Sequence, residues 1–157
     1  MRVKLLTALT LATAAMASQS YATCEPGRVY LQVLGSGGPE LGDERAGSSY
    51  LVWLDGKARV LVDMGPGSSL NFERSGANIA DLEAVLFSHL HVDHSADLPA
   101  LIKASFFSNR SRDLPVMGPD GNNLMPSTEQ FISRLIGDQG AFRYLSEYYE
   151  TGKRSDY

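Results

Sequence analysis

The order of apolar and polar positions divides the chain into short strands and helices. Val29 to Leu34 is β-branched, aromatic and aliphatic, and it closes on Gly35-Ser36-Gly37-Gly38-Pro39, which predicts a strand running into a glycine turn. Ser48 to Leu54 and Ala58 to Val62 flank Asp55-Gly56, a tight-turn dipeptide, and predict a hairpin. Asp63-Met64-Gly65-Pro66-Gly67 ends it, and a short helix is predicted over Ser69 to Ser75. Asp81 to Ser88 holds the unbroken apolar run Ala84-Val85-Leu86-Phe87, read as a buried strand. Ala96 to Phe107 places Leu98, Leu101, Ile102, Ser105 and Phe106 at helical spacing, with Pro99 in the first turn, where proline is tolerated. Leu114 to Met117 predicts a short strand ended by Gly118-Pro119. Ser127, with Gln130 three residues on, opens a further helix, and Phe142 to Glu150 predicts an aromatic-rich one. Strands alternating with helices indicate an α/β layer.

The first residues follow another pattern. Arg2 and Lys4 precede an uninterrupted run of apolar, Ala and Thr residues from Leu5 to Ala17, and Ser20-Tyr21-Ala22 has small residues at the spacing of a cleavage site. Residues 1–22 therefore read as a secretory signal peptide, cut after Ala22 or alternatively after Ala17. The run is too short for a comfortable bilayer span, so a periplasmic or secreted protein without a stable membrane anchor is expected. Residues 23–157 are the right size for one modest domain. Cys24 is the only cysteine and forms no internal disulfide, so metal ligands must come from His, Asp and Glu. The net charge of −4 lacks the basic footprint of a nucleic-acid binder, and no nucleic-acid partner is expected. That charge leaves a small-molecule ester substrate open, because a local metal site can dominate the field around it.

Candidate chemistry is concentrated in Ser88-His89-Leu90-His91-Val92-Asp93-His94, which contains all 3 histidines of the chain. The loop follows an apolar strand directly, a common place for α/β active sites. His89 and His91 are two apart, so extended backbone turns both imidazoles to one side, where they can grip a divalent metal. Asp93 follows at the same spacing, with His94 beside it. Four donors are more than one tetrahedral metal takes from a single loop, which suggests two adjacent metals. A solvated surface loop is a poor alternative, since three imidazoles charging together near their ordinary pKa would repel one another.

This loop is similar to the His-x-His-x-Asp-His signature of the metallo-β-lactamase superfamily. Asp63-Met64-Gly65 resembles the Asp-x-Gly that ends an earlier strand there. Leu34 to Pro39 and Leu114 to Pro119 resemble strand-and-glycine turns of the ribonuclease-Z-like, phosphodiesterase-like branch. The resemblance covers roughly residues 29 to 120. It implies an α/β fold corresponding to the N-terminal half of an αββα sandwich. His89 and His91 would ligate one metal, Asp93 and His94 a second, and Asp63 would orient ligands through hydrogen bonds. Zn²⁺ is the implied ion, with Mn²⁺ or Fe also compatible. Two such metals activate a water for attack on a phosphodiester, sulfate ester or lactone, and Asp93 is the implied catalytic proton carrier.

The same resemblance demands a third His for the first metal, a bridging Asp and a last His, all later in the chain. No histidine follows His94, and Asp113, Asp120, Asp138 and Asp156 lack a histidine-containing context. The chain therefore reads as an N-terminal part of such a domain, with one sheet face left exposed. Taken alone, the 157-residue product is expected to be poorly stable and inactive. A metal-binding remnant or interaction module is the alternative to a hydrolase.

Overall fold

The computed structural model describes residues 27–150, with the side chain of Glu150 excluded. The signal-peptide reading and Cys24 lie outside the described residues. A single five-stranded sheet has the order β1-β2-β3-β4-β5. Its strands are β1 (Val29–Gly35), β2 (Ser49–Leu54), β3 (Lys57–Val62), β4 (Ala84–Leu86) and β5 (Val116–Met117). The β1–β2 and β2–β3 pairs are antiparallel, while β3–β4 and β4–β5 are parallel. Asp55 and Gly56 both take positive φ, 53° and 71°, in the two-residue turn between β2 and β3. Primed turns of this kind match the twist of a hairpin.

The helices are α1 (Ser68–Arg74), α2 (Val92–Ser95), α3 (Leu98–Ser105), α4 (Thr128–Ile136) and α5 (Ser146–Glu150). Three expectations needed revision. The N-terminal part of the predicted strand over Asp81 to Ser88 yields to a 3-10 turn, Ile79–Asp81, because Asn78 caps it by accepting from the Ala80 amide at 2.9 Å. The helix expected over Ala96 to Phe107 forms as α3 from Leu98, and an additional short helix, α2, precedes it inside the His loop. The helix expected over Phe142 to Glu150 forms only from Ser146, after a 3-10 turn at Arg143–Leu145. The start of α4 is as expected: Ser127 accepts from the Gln130 amide, and the Gln130 side chain accepts from the Ser127 amide.

The core lies between the helices and one face of the sheet. Leu51, Leu61 and Val85, aligned across β2, β3 and β4, have no exposed surface. Met64, Phe72, Leu82, Leu98 and Leu101 complete this side. The opposite face of β1 carries Val29, Leu31 and Val33, which are 68%, 66% and 56% exposed, respectively. Across the register this face continues through Val52, Val60 and Ala84, and through Tyr50, Val62, Leu86 and Met117. It is apolar, exposed along β1 and at Met117 and half-buried between them. No helix among the described residues is long and apolar enough to cross a membrane.

Candidate metal centre

Two loops meet at the C-terminal ends of the parallel strands β3 and β4, the crevice where open α/β sheets bind ligands. Asp63, directly after β3, has φ of 58°, a left-handed conformation that Asp tolerates better than most residues. Its amide donates to Leu86 O at 2.8 Å and its carbonyl accepts from Ser49 Oγ at 2.8 Å. The Met64 amide then donates to His94 O at 2.6 Å, and the Asp97 amide donates to Met64 O at 2.9 Å. Gly65 permits this approach: a Cβ there would overlap the Asp93 carbonyl and lie 2.7 Å from Gly47 Cα. The loops after β3 and β4 are thus held together by backbone before any side chain is considered.

The buried Asp63 carboxylate is the hub of the side-chain network. Its Oδ1 accepts from the Ser88 amide at 2.8 Å. Its Oδ2 accepts from Ser88 Oγ at 2.7 Å and lies 2.9 Å from His94 Nδ1. An ionised carboxylate only accepts, so these partners place a proton on His94 Nδ1 and leave Nε2 as a lone-pair donor. Ser88 Oγ donates its hydrogen bond to Asp63 and so accepts from His89 Nδ1 at 3.1 Å, which assigns His89 the same tautomer. The histidine rings gather closely, with centroids 4.6 Å apart for His89 and His91 and 3.9 Å for His89 and His94.

The backbone departs from the extended run expected through the motif. His91 is extended, but α2 starts at Val92, so Asp93 and His94 fall on a helical turn. That turn sets Asp93 Oδ2 3.4 Å from His94 Nε2. With the His94 proton held on Nδ1, two lone-pair groups face each other there, an arrangement that a cation between them relieves. The chemistry of the donor set fits a divalent ion, with nitrogen from His89, His91 and His94 and oxygen from Asp93. The set is not closed: among the described residues no group of three or more His, Cys, Asp or Glu side chains is arranged to hold an ion.

All five residues singled out from the sequence come together here: His89, His91, Asp93 and His94 in one loop, with Asp63 behind them. Ser88 was missed, although it adjoins the motif and its hydroxyl links Asp63 to two imidazoles. Asp97 was missed too; its Oδ2 accepts from the Ser69 amide at 2.9 Å and Ser69 Oγ at 2.7 Å, tying α1 to this edge. Only the juxtaposition in space reveals that contact. Displaced pKa values are found at the other end of β4. A hydrogen bond from Arg112, opposed by desolvation and aided by the charges of Arg112, Arg59 and Arg110, lowers the Glu83 carboxyl. The same bond raises Arg112, while burial lowers Arg110. Arg110 and Arg112 both donate to Leu82 O, bracing the entry to β4.

Residues 42–143 match the family model described as the metallo-beta-lactamase superfamily. Among curated relatives, a ribonuclease Z of Metallosphaera sedula is 30% identical over 128 residues, covering 81% of this chain and 42% of the relative. The metallo-beta-lactamase fold protein YhfI of Bacillus subtilis aligns with a TM-score of 0.56 at 28% identity, over 69% of this chain and 43% of that one. A diphosphatase of the PhnP family aligns with a TM-score of 0.52 at 27% identity, over 69% and 46%. The chain thus spans less than half the length of each of these proteins. The ribonuclease relatives overturn the expectation that nucleic acid is excluded as a partner. That expectation took the net charge of the whole chain as its guide. A metal-centred site acts through its own local field, which the total charge does not describe.

Proposed function

Since the chain belongs to the metallo-β-lactamase superfamily, we propose that it carries part of the catalytic centre of a metal-dependent hydrolase that cleaves phosphodiester bonds, those of nucleic acid included. The observation that carries this reading is the convergence of three imidazoles and Asp93 on the Asp63–Ser88 network. His89 and His91 hold one divalent ion, and Asp93 with His94 holds a second; zinc suits these ligands, and manganese or iron is also compatible. When bound, such ions supply a water acidic enough to attack near neutral pH, together with positive charge for the developing oxyanion. Asp63 and Ser88 fix the His89 and His94 tautomers, so that Nε2 of each presents a lone pair. Asp93 moves a proton between the attacking water and the leaving oxygen. The choice of phosphorus over sulfur or a lactone carbonyl is supported by the ribonuclease and diphosphatase relatives. The basic and apolar run before Ala22 supports export.

A second reading, a metal-binding remnant or interaction module, is favoured by the open donor set: among the described residues no three His, Cys, Asp or Glu side chains are arranged to hold an ion. The test is to express the open reading frame containing this chain, load it with Zn²⁺ and follow release of p-nitrophenol from bis(p-nitrophenyl) phosphate. The hydrolase reading predicts turnover that chelation removes and Asp93→Asn abolishes. A frame that closes at Tyr157, with metal bound and no turnover, establishes the second reading instead.

A further inference from the structure

Beside the histidines lies a recess of about 180 Å³. His89, Leu90 and His91 line it from the motif loop, and Pro119, Asn122 and Met125 from the turn after β5. We propose that this recess binds one planar six-membered ring of the substrate, next to the bond that is broken. The proposal deepens the hydrolase reading and rests on it in placing the broken bond at His89 and His91.

Size and chemistry both lead to this ligand. A cavity of about 150 Å³ is known to admit a benzene ring, so this recess is on the scale of a single ring. Its lining is chiefly apolar, which favours the face of a ring over a second charged group. The turn that forms the outer wall is braced. Asn122 Oδ1 accepts from the Leu124 amide at 2.8 Å and the Met125 amide at 3.0 Å. The Asn122 amide donates to Met125 O at 2.9 Å. Pro119 O accepts from the Thr128 amide at 2.9 Å and from Thr128 Oγ1 at 3.0 Å, which ties the wall to the capped start of α4. Gly121, with φ of 89°, allows the fold-back; a Cβ there would come 2.7 Å from Pro126 C. A braced wall keeps the size of the recess fixed, and a fixed size discriminates between rings.

The experiment uses the full chain labelled with methyl-¹³C methionine. The Met125 methyl signal, assigned by its loss in Met125→Leu, is followed on titration with methyl, phenyl and 2-naphthyl phosphate. Phenyl phosphate is expected to shift it at about tenfold lower concentration than methyl phosphate, the lower end of what a small apolar group is worth in a fitted pocket. Naphthyl phosphate should do no better than methyl phosphate until Met125→Ala enlarges the recess, a gain read on the His89 and His91 imidazole signals because that variant has no Met125 methyl. A misfolded variant cannot mimic that gain. Uridine 3′-monophosphate acting like phenyl phosphate identifies the ring as a pyrimidine base; acting like methyl phosphate, it identifies an aryl group. Equal affinity for phenyl and methyl phosphate, or no gain in Met125→Ala, overturns the proposal. A Zn²⁺ titration of the same sample, read on the imidazole signals, separates the two readings. Zinc binding without a phenyl response rejects only the ring site, and a phenyl response without zinc binding rejects only the metal centre.

Discussion

The two faces of the sheet are built from similar residues and end in opposite environments. On one, Leu51, Leu61 and Val85 are fully buried beneath the helices. On the other, Val29, Leu31 and Val33 keep more than half of their surface exposed. Burying one such side chain is worth about 1.5–3 kcal/mol, a gain realised in full on the first side and only in part on the second. Strand composition therefore does not determine which face becomes core; the helices that follow β3, β4 and β5 do. The metal-binding candidates sit at the end of the strands, held by the loops from the covered side. The candidate metal-binding edge is thus supported from that side, while the other face offers a broad apolar surface.

Substitutions can test that contrast. Leu51→Ala should cost about 2–5 kcal/mol in urea unfolding, the usual range for emptying a packed leucine site. The double change Leu31→Thr with Val33→Thr keeps residues tolerated in strands and should cost less than about 1 kcal/mol, while light scattering shows reduced self-association. A loss equal to that of Leu51→Ala would mean that the second face is covered in solution and would break the comparison. Ser127→Ala removes one half of the capping box on α4, part of the covering layer, and should cost about 1 kcal/mol. The smallest effect concerns the Glu83–Arg112 pair. Glu83 is lowered from its ordinary value of 4.5, so its stabilisation is present above that value and is lost as pH falls through the depressed folded one. Glu83→Gln should flatten the acid limb of the unfolding curve slightly, and added salt should shrink the difference because the pair is exposed.

Much of this was legible in the residues. Asp55-Gly56 defined the hairpin, and Ser127 with Gln130 marked the α4 start, because turns and caps are local devices. The strand before the motif was overextended, because an Asn78 cap competes with an apolar run that periodicity alone cannot divide. The motif loop supplied the candidate ligands, but spacing could not show the helical turn that brings Asp93 to His94. Nor could it show Ser88 spanning 25 positions to Asp63, or the turn after β5 closing a recess over His89. Those relations exist only once β3, β4 and β5 lie side by side.

The central claim is that His89, His91, Asp93 and His94 form a cation-binding set oriented by Asp63 and Ser88. Its most direct test is isothermal titration of the protein with Zn²⁺, beside His89→Ala/His91→Ala and Ser88→Ala. The account predicts saturable binding, its loss in the double variant, and a weakening of about 10-fold or more in Ser88→Ala, the usual cost of removing a group that orients metal ligands. Zinc uptake by the double variant equal to that of the unaltered protein would contradict it.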